Sequence, residues 1–173
     1  MLLLNKAFVD SLTMSILNKT TSFHDRQFFP VDVYNEQDLL EIDEDKIKFI
    51  CGKIISDAGF RTGRLGVVLT DNVAIHALNR QYLGHDYVTD VISFNVEYFD
   101  SHLEAEVVVS AQVAKERCIE FGTDEVEELM LYVIHGTLHQ VGYNDKTIYD
   151  TQIMRQMETA YLALLDDLTT EEP

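Results

Sequence analysis

The chain has 173 residues, 46% of them hydrophobic and 25% charged, which suits one domain around one shared core and leaves little room for a second. Thirteen Lys and Arg stand against 30 Asp and Glu, a formal net charge of −17, so a polyanionic partner has to be met locally, against an unfavourable overall field. No apolar run approaches the roughly 18 to 20 residues that cross a bilayer. The apolar Met1 to Leu4 has no basic segment before it and Asp10 soon after, and the sequence therefore predicts no membrane anchor and no secretory signal.

Residues 1–25 mix Asn, Lys, Thr and Ser with scattered Leu at no sustained period, and read as a loosely held arm. Arg26 to Tyr34 is rich in aromatic and β-branched residues, but Pro30 lacks a donor, which predicts an edge strand. Ile47, Ile50, Cys51, Ile54, Ile55 and Ala58 fall at helical spacing between the acidic Asp43-Glu44-Asp45 and Gly59. Arg64 to Thr70 reads as a short buried strand. Asp71 then opens a helix with Ile75, Leu78 and Tyr82 on one face.

Gly84 to Tyr87 reads as a loop, Asp90 to Tyr98 and Glu104 to Val109 as strands, and Asp100 to His102 as the turn between them. Ser110 caps a helix with Val113, Ala114, Cys118 and Phe121 on its apolar side, ended by Gly122. Thr123 is the expected cap of the next helix. Its acids Asp124, Glu125, Glu127 and Glu128 lie at the positive N-terminal pole, and Val126, Met130, Val133, Ile134, Leu138 and Val141 make it apolar on more than one side, as befits a buried central helix. A last helix spans about Thr147 to Leu165, and residues 167–173 form an acidic tail. Cys51 and Cys118 each sit among apolar residues at helical spacing, as reduced core thiols of a cytoplasmic protein would.

The end of the central helix reads His135-Gly136-Thr137-Leu138-His139-Gln140-Val141-Gly142-Tyr143-Asn144-Asp145. Two histidines four apart project from one helix face a turn apart, the separation at which two imidazoles hold one metal ion. Gly142 is the natural helix stop, and a left-handed residue there returns Asp145 toward the same face as a third ligand. Three ligands of nitrogen and oxygen type with a fourth position left open is the pattern of a catalytic zinc site. The glutamate base of the zinc peptidase pattern His-Glu-x-x-His is replaced by Gly136, which disfavours peptidase chemistry. His24, His76, His85 and His102 lack the mutual spacing for a metal and read as surface or loop residues. Asp90 and Glu106 are the candidates for a carboxylate that orients a ligand histidine through its second ring nitrogen. Tyr143 reads equally as a hydrogen-bonding group near the metal and as packing beneath the turn.

These residues resemble the YbeY family of endoribonucleases, or ribosomal RNA maturation factors. The resemblance covers roughly Arg26 to Leu165. It is strongest in His135-Gly136-x-Leu138-His139-x-x-Gly142-Tyr143. It continues in Asn79-x-x-Tyr82, Asp86 and Thr89-Asp90-Val91-Ile92-Ser93-Phe94, and in Ala105 to Ser110, where the family usually has Gly-Asp before a short strand. Three departures stand out: Asp145 replaces the third metal histidine, Leu83 replaces an arginine proposed to contact RNA phosphate, and Val88 replaces a common proline. Arg80 and Lys146 are the candidate stand-ins for that phosphate contact.

The resemblance implies a zinc-dependent hydrolase that cuts single-stranded RNA in ribosomal RNA maturation and ribosome quality control, in the cytoplasm. One Zn2+ per chain would be held by His135, His139 and Asp145, with manganese or another divalent ion more acceptable than at a three-histidine site. The implied partners are ribosomal RNA and, to present it, a ribosomal protein or a ribosome-associated GTPase. The alternatives are a ribosome-associated binding factor with a structural metal and little catalysis, or a zinc hydrolase on another substrate. The basic residues Lys46, Lys48, Lys53, Arg61 and Arg64 read either as a local positive cleft for RNA or as a solvated face. The expected fold is α/β (α+β), a single domain over residues 26–166. It has a small mixed sheet of about four strands, about five helices, and a zincin-like metal helix in the centre.

Overall fold

The computed structural model describes residues 28–169. The expected arm at residues 1–25 and the end of the acidic tail lie outside them. Five helices and four strands follow in the order β1 (Val31–Asn35), α1 (Glu44–Asp57), β2 (Thr62–Thr70), α2 (Asn72–Leu78), β3 (Val91–Phe99), β4 (His102–Ser110), α3 (Ala111–Phe121), α4 (Glu125–Gln140) and α5 (Ile148–Thr169). The sheet is mixed, in the order β1-β2-β4-β3, with β1, β2 and β4 parallel and β3 antiparallel to β4. This is the single small α/β domain that the sequence predicts.

Period-two alternation decides what each face of the sheet meets. Leu65, Val67 and Leu69 of β2 and Leu103, Ala105, Val107 and Val109 of β4 are buried against α1, α4 and α5, with Ile47, Ile50, Leu129, Val133, Leu138 and Tyr161. The intervening residues Val68 and Val108, with Ile92 of β3, face the other way and are covered by Ile75 and Leu78 of α2. β1 is an edge strand, as expected. Pro30 stands just before it and uses the one polar backbone group that it has, its carbonyl, to accept from the Leu65 amide at 3.1 Å.

Asp43, Asp71 and Ser110 cap their helices by accepting backbone amide hydrogens, as the sequence indicates. α4 differs. Its cap is Asp124, whose Oδ1 accepts from Val126 and Glu127, while the expected cap Thr123 donates its hydroxyl to Glu128 Oε2 at 3.0 Å. A carboxylate is the better acceptor of two amides, and it brings charge to the helix pole.

Tyr82 does not continue the buried face of α2. Residues Asn79–Leu83 form a π-helical turn, and the one extra residue per turn swings Tyr82 out to 60% exposure. Asn79 is buried there and donates to the Tyr87 carbonyl at 2.9 Å, which ties the following loop back to the helix. The cysteines also divide. Cys51 is fully buried, whereas Cys118 is partly exposed and its thiol donates to the Lys115 carbonyl.

Candidate metal centre

α4 lies across β3 and β4 at very short range, and Gly136 makes this approach feasible. A Cβ at that position would stand 2.6 Å from Val107 Cγ1 and 2.8 Å from Val91 Cγ2. The Gly136 carbonyl also accepts from Ser93 Oγ at 3.2 Å. The place of the peptidase glutamate is thus closed by the sheet, and the face beside it carries the histidines outward.

Helix α4 ends in a Schellman motif: the Gly142 amide donates to the His139 carbonyl and the Tyr143 amide to the Leu138 carbonyl, both at 3.1 Å. Gly142 takes a φ of 101°, a left-handed conformation that side-chain-bearing residues rarely adopt. The reversal drives Tyr143 into the core and leaves Asp145 facing the helix it has just left. His135, His139 and Asp145 accordingly converge. The two histidine Nε2 atoms are 3.0 Å apart, and Asp145 Oδ2 lies 3.9 Å from one and 4.0 Å from the other.

Both rings are held by their other nitrogen. His135 Nδ1 lies 2.6 Å from Glu158 Oε1, and His139 Nδ1 lies 3.0 Å from the Tyr143 carbonyl oxygen. A carboxylate and a carbonyl can only accept, so each Nδ1 carries the hydrogen and each Nε2 presents a lone pair. Two lone pairs facing each other across 3.0 Å, with a carboxylate beside them, call for a cation. A point equidistant from the three ligand atoms lies about 2.1 Å from each, the bond length of zinc to imidazole nitrogen and carboxylate oxygen. The residues fit a metal ion. The side chain of Asp145 is 47% exposed, which leaves one side of the cluster open to a further ligand.

Charge divides the two rings. Burial alone would pull His135 down, but the Glu158 hydrogen bond and the charges of Glu158, Asp145 and Asp90 outweigh it, and its pKa rises above the ordinary 6.5. Burial and the neighbouring His135 together hold His139 below that value.

The orienting carboxylate is Glu158 and not the expected Asp90 or Glu106. Glu106 is exposed on β4. Asp90 lies close enough for its charge to act on His135, but its Oδ1 accepts from Thr89 Oγ1 and the Val91 amide. The available signal for Glu158 was a carboxylate set among the buried Met154, Met157 and Tyr161 on the apolar stripe of α5. Of the two readings of Tyr143, its side chain takes the packing one: the ring is buried in the core, and the contact to His139 Nδ1 is made by its backbone carbonyl. Of the candidate phosphate contacts, Lys146 is exposed next to Asp145 and Arg80 is exposed on the π-helical turn. Leu83 is 50% exposed on the same turn.

Four of the five basic residues around α1 are engaged by the protein's own groups. Lys53 is buried and pairs with Asp57 at 2.6 Å, Lys48 pairs with Glu44 and Asp45, and Arg64 pairs with Asp32. Arg61 donates to the carbonyls of Ser56 and Phe60 at the end of α1.

A small mixed sheet crossed by a helix with two converging histidines and a returning carboxylate offers three ligand atoms to one metal ion. The sequence profile of the family described as Endoribonuclease YbeY matches residues 32–166, and the chain belongs to that family. It is 33% identical over 141 residues to an Endoribonuclease YbeY of Salinibacter ruber, an alignment covering 77% of this chain and 90% of that one. It is 42% identical over 109 residues to one of Rhodopirellula baltica, covering 62% of this chain and 56% of that protein. The solution structure of a Thermotoga maritima protein has the same fold, with a TM-score of 0.59 at 22% identity over 83% of this chain and 93% of that one.

Proposed function

We propose that this protein is a zinc-dependent endoribonuclease that cuts single-stranded RNA, acting in ribosomal RNA maturation and ribosome quality control in the cytoplasm. Among the described residues no helix is long and apolar enough to cross a membrane. The observation that carries the proposal is the meeting of His135 Nε2, His139 Nε2 and Asp145 Oδ2 at one half-open point, in a chain of an endoribonuclease family.

When bound there, a zinc ion supplies a Lewis acid that brings the pKa of a coordinated water toward neutrality and draws charge from a phosphate oxygen. Glu158 and the Tyr143 carbonyl keep both imidazoles in the tautomer that binds through Nε2. Asp145 lowers the formal charge of the centre from the +2 of a three-histidine site to +1 and, as a hard oxygen donor, extends tolerance toward manganese. Gly136 removes the peptidase base and packs its place against β3 and β4, which favours phosphodiester over peptide hydrolysis. Lys146 and Arg80 are the cations proposed to meet RNA phosphate. The acidic surface favours a substrate presented by a ribosomal protein or a ribosome-associated GTPase over capture of free RNA.

Leu83, half exposed where the family arginine is expected, supports a second reading in which the protein binds ribosomal RNA without cutting it. Incubating single-stranded RNA with the zinc-loaded protein, with His135→Ala and with chelator separates the two. Cleavage by the wild type that vanishes in both other samples supports the nuclease. A zinc-loaded wild type that binds RNA without cutting it supports the binding factor. Cleavage that survives both treatments belongs to a contaminant.

A further inference from the structure

We propose that a cavity lined by the same stripe of α4 that carries His135 is a nucleobase subsite that selects bases with an exocyclic amine over uracil, an inference that rests on the RNA reading above. The cavity has a volume of about 650 Å³ and is bounded by the loop before β3, α3 and the first half of α4. That volume lies in the range of small-molecule sites and accommodates one nucleoside.

Its position follows from the helix period. Glu128 and Tyr132 line the cavity and stand seven and three residues before His135, so all three share one stripe of α4. Tyr132 is about 4.5 Å from His135 along the axis, and Glu128 about 10.5 Å. Asp90, on the opposite wall, immediately precedes Val91, which packs on Gly136. A base lodged between Asp90 and Tyr132 thus lies on the same stripe of α4 as His135.

The lining is rich in groups that accept N–H hydrogens. Asp90, Glu116 and Glu128 bring three carboxylates to it, and the guanidinium of Arg117 is already paired with Glu120 at 3.0 Å. Glu128 is 4% exposed, and its two oxygens accept from Tyr132 Oη at 2.8 Å and Thr123 Oγ1 at 3.0 Å, which fixes the carboxylate in place. Asp90 uses Oδ1 for Val91 and Thr89, so Oδ2 remains to receive a ligand donor. Asn72 supplies the opposite polarity. Ser110 Oγ accepts from the Val113 amide and donates to Asn72 Oδ1 at 2.7 Å, which leaves the Asn72 amide hydrogens as donors. Val88 and Val113 form the apolar walls. A carboxylate and an amide donor in one lining supply the two polarities that the amine and carbonyl of cytosine require. Against uracil, the same carboxylate meets a carbonyl oxygen, lone pair against lone pair.

Cytidine and uridine differ only at that edge and carry no phosphate, so titrating each into the full-length protein tests the subsite without cleavage. Followed by NMR shifts of the cavity residues, cytidine should bind about tenfold more tightly than uridine, and Asp90→Asn should erase the difference. Glu128→Gln, which keeps the side-chain volume, should reduce it, with melting curves confirming that both variants fold. Equal affinity for the two nucleosides, no binding of either at millimolar concentration, or an unchanged preference in both folded variants overturns the inference. Two single-stranded RNAs differing by one C-to-U change test the underlying reading separately. If neither is cut while the cytidine preference persists, the nuclease proposal falls and the subsite stands.

Discussion

The two halves of α4 carry polar side chains on the same stripe, yet they meet different fates. In the N-terminal half, Glu128 is buried and satisfied within the protein by the hydroxyls of Tyr132 and Thr123. In the C-terminal half, His135 and His139 are each satisfied at Nδ1, but their Nε2 lone pairs face each other with Asp145 alongside. A buried carboxylate paired with two hydroxyl donors leaves no need for a cation. Two imidazole nitrogens and a carboxylate oxygen within 4.0 Å of one another are a set of ligand atoms that one cation can balance. The contrast lies in whether the charges and hydrogens balance locally, since both halves are built on the same helix and the same core.

The largest effect should come from emptying the acceptor cluster. His139→Ala should abolish binding of one divalent ion per chain and reduce RNA cleavage to background, while Tyr132→Phe, at the other half of the stripe, should leave metal content unchanged; elemental analysis and a gel assay read both. Next, Glu158→Gln should weaken zinc binding about 10- to 100-fold at pH 8, as loss of an orienting carboxylate does, measurable by chelator competition. The same variant sharpens the pH dependence. Because Glu158 raises the His135 pKa above 6.5, protons compete for that ring from above pH 6.5, and metal affinity in the wild type should begin to fall there as the pH drops. Without the Glu158 charge the fall should start at lower pH, and an onset that stays put would contradict the role given to Glu158.

Gly136→Ala should cost about 1–3 kcal/mol through forced contact with Val91 and Val107, seen as a lower Tm, whereas Ala at the exposed Lys146 should leave Tm unchanged. Asp145→His should move the activity optimum to lower pH, because a neutral ligand restores the +2 charge of the centre and makes a bound water more acidic. The smallest effect concerns salt. With the basic residues Lys48, Lys53, Arg61 and Arg64 engaged in the protein's own contacts, cleavage should fall less than about tenfold between 50 and 200 mM salt, as for two or so phosphate contacts.

The metal cluster was legible because it is local. Four-residue spacing places both imidazoles on one face, and a glycine three residues after the second fixes the reversal that returns Asp145. Its support was not legible for the opposite reason. Glu158 is 23 residues from His135 and meets it through the packing of α5 on α4, which no period within α4 discloses. The edge strand, the central helix and three of the helix caps could be read from Pro30, from apolar spacing and from Asp43, Asp71 and Ser110. At α4 two adjacent residues were both good caps, and only the geometry chose Asp124 over Thr123. Tyr82 departs from the α-helical period because the chain forms a π-helical turn there, which apolar spacing does not disclose. The basic run near α1 reads in the sequence as either a positive cleft or a solvated face, and its contacts with acids close in sequence favour the second.

Metal stoichiometry compared between the wild type and Asp145→Ala tests the central claim most directly, since it asks whether the returning carboxylate belongs to the same centre as the two imidazoles. After dialysis against trace zinc, the wild type should retain one zinc per chain and Asp145→Ala well under half of that. Equal retention by the two, or none by a folded wild type, would contradict it.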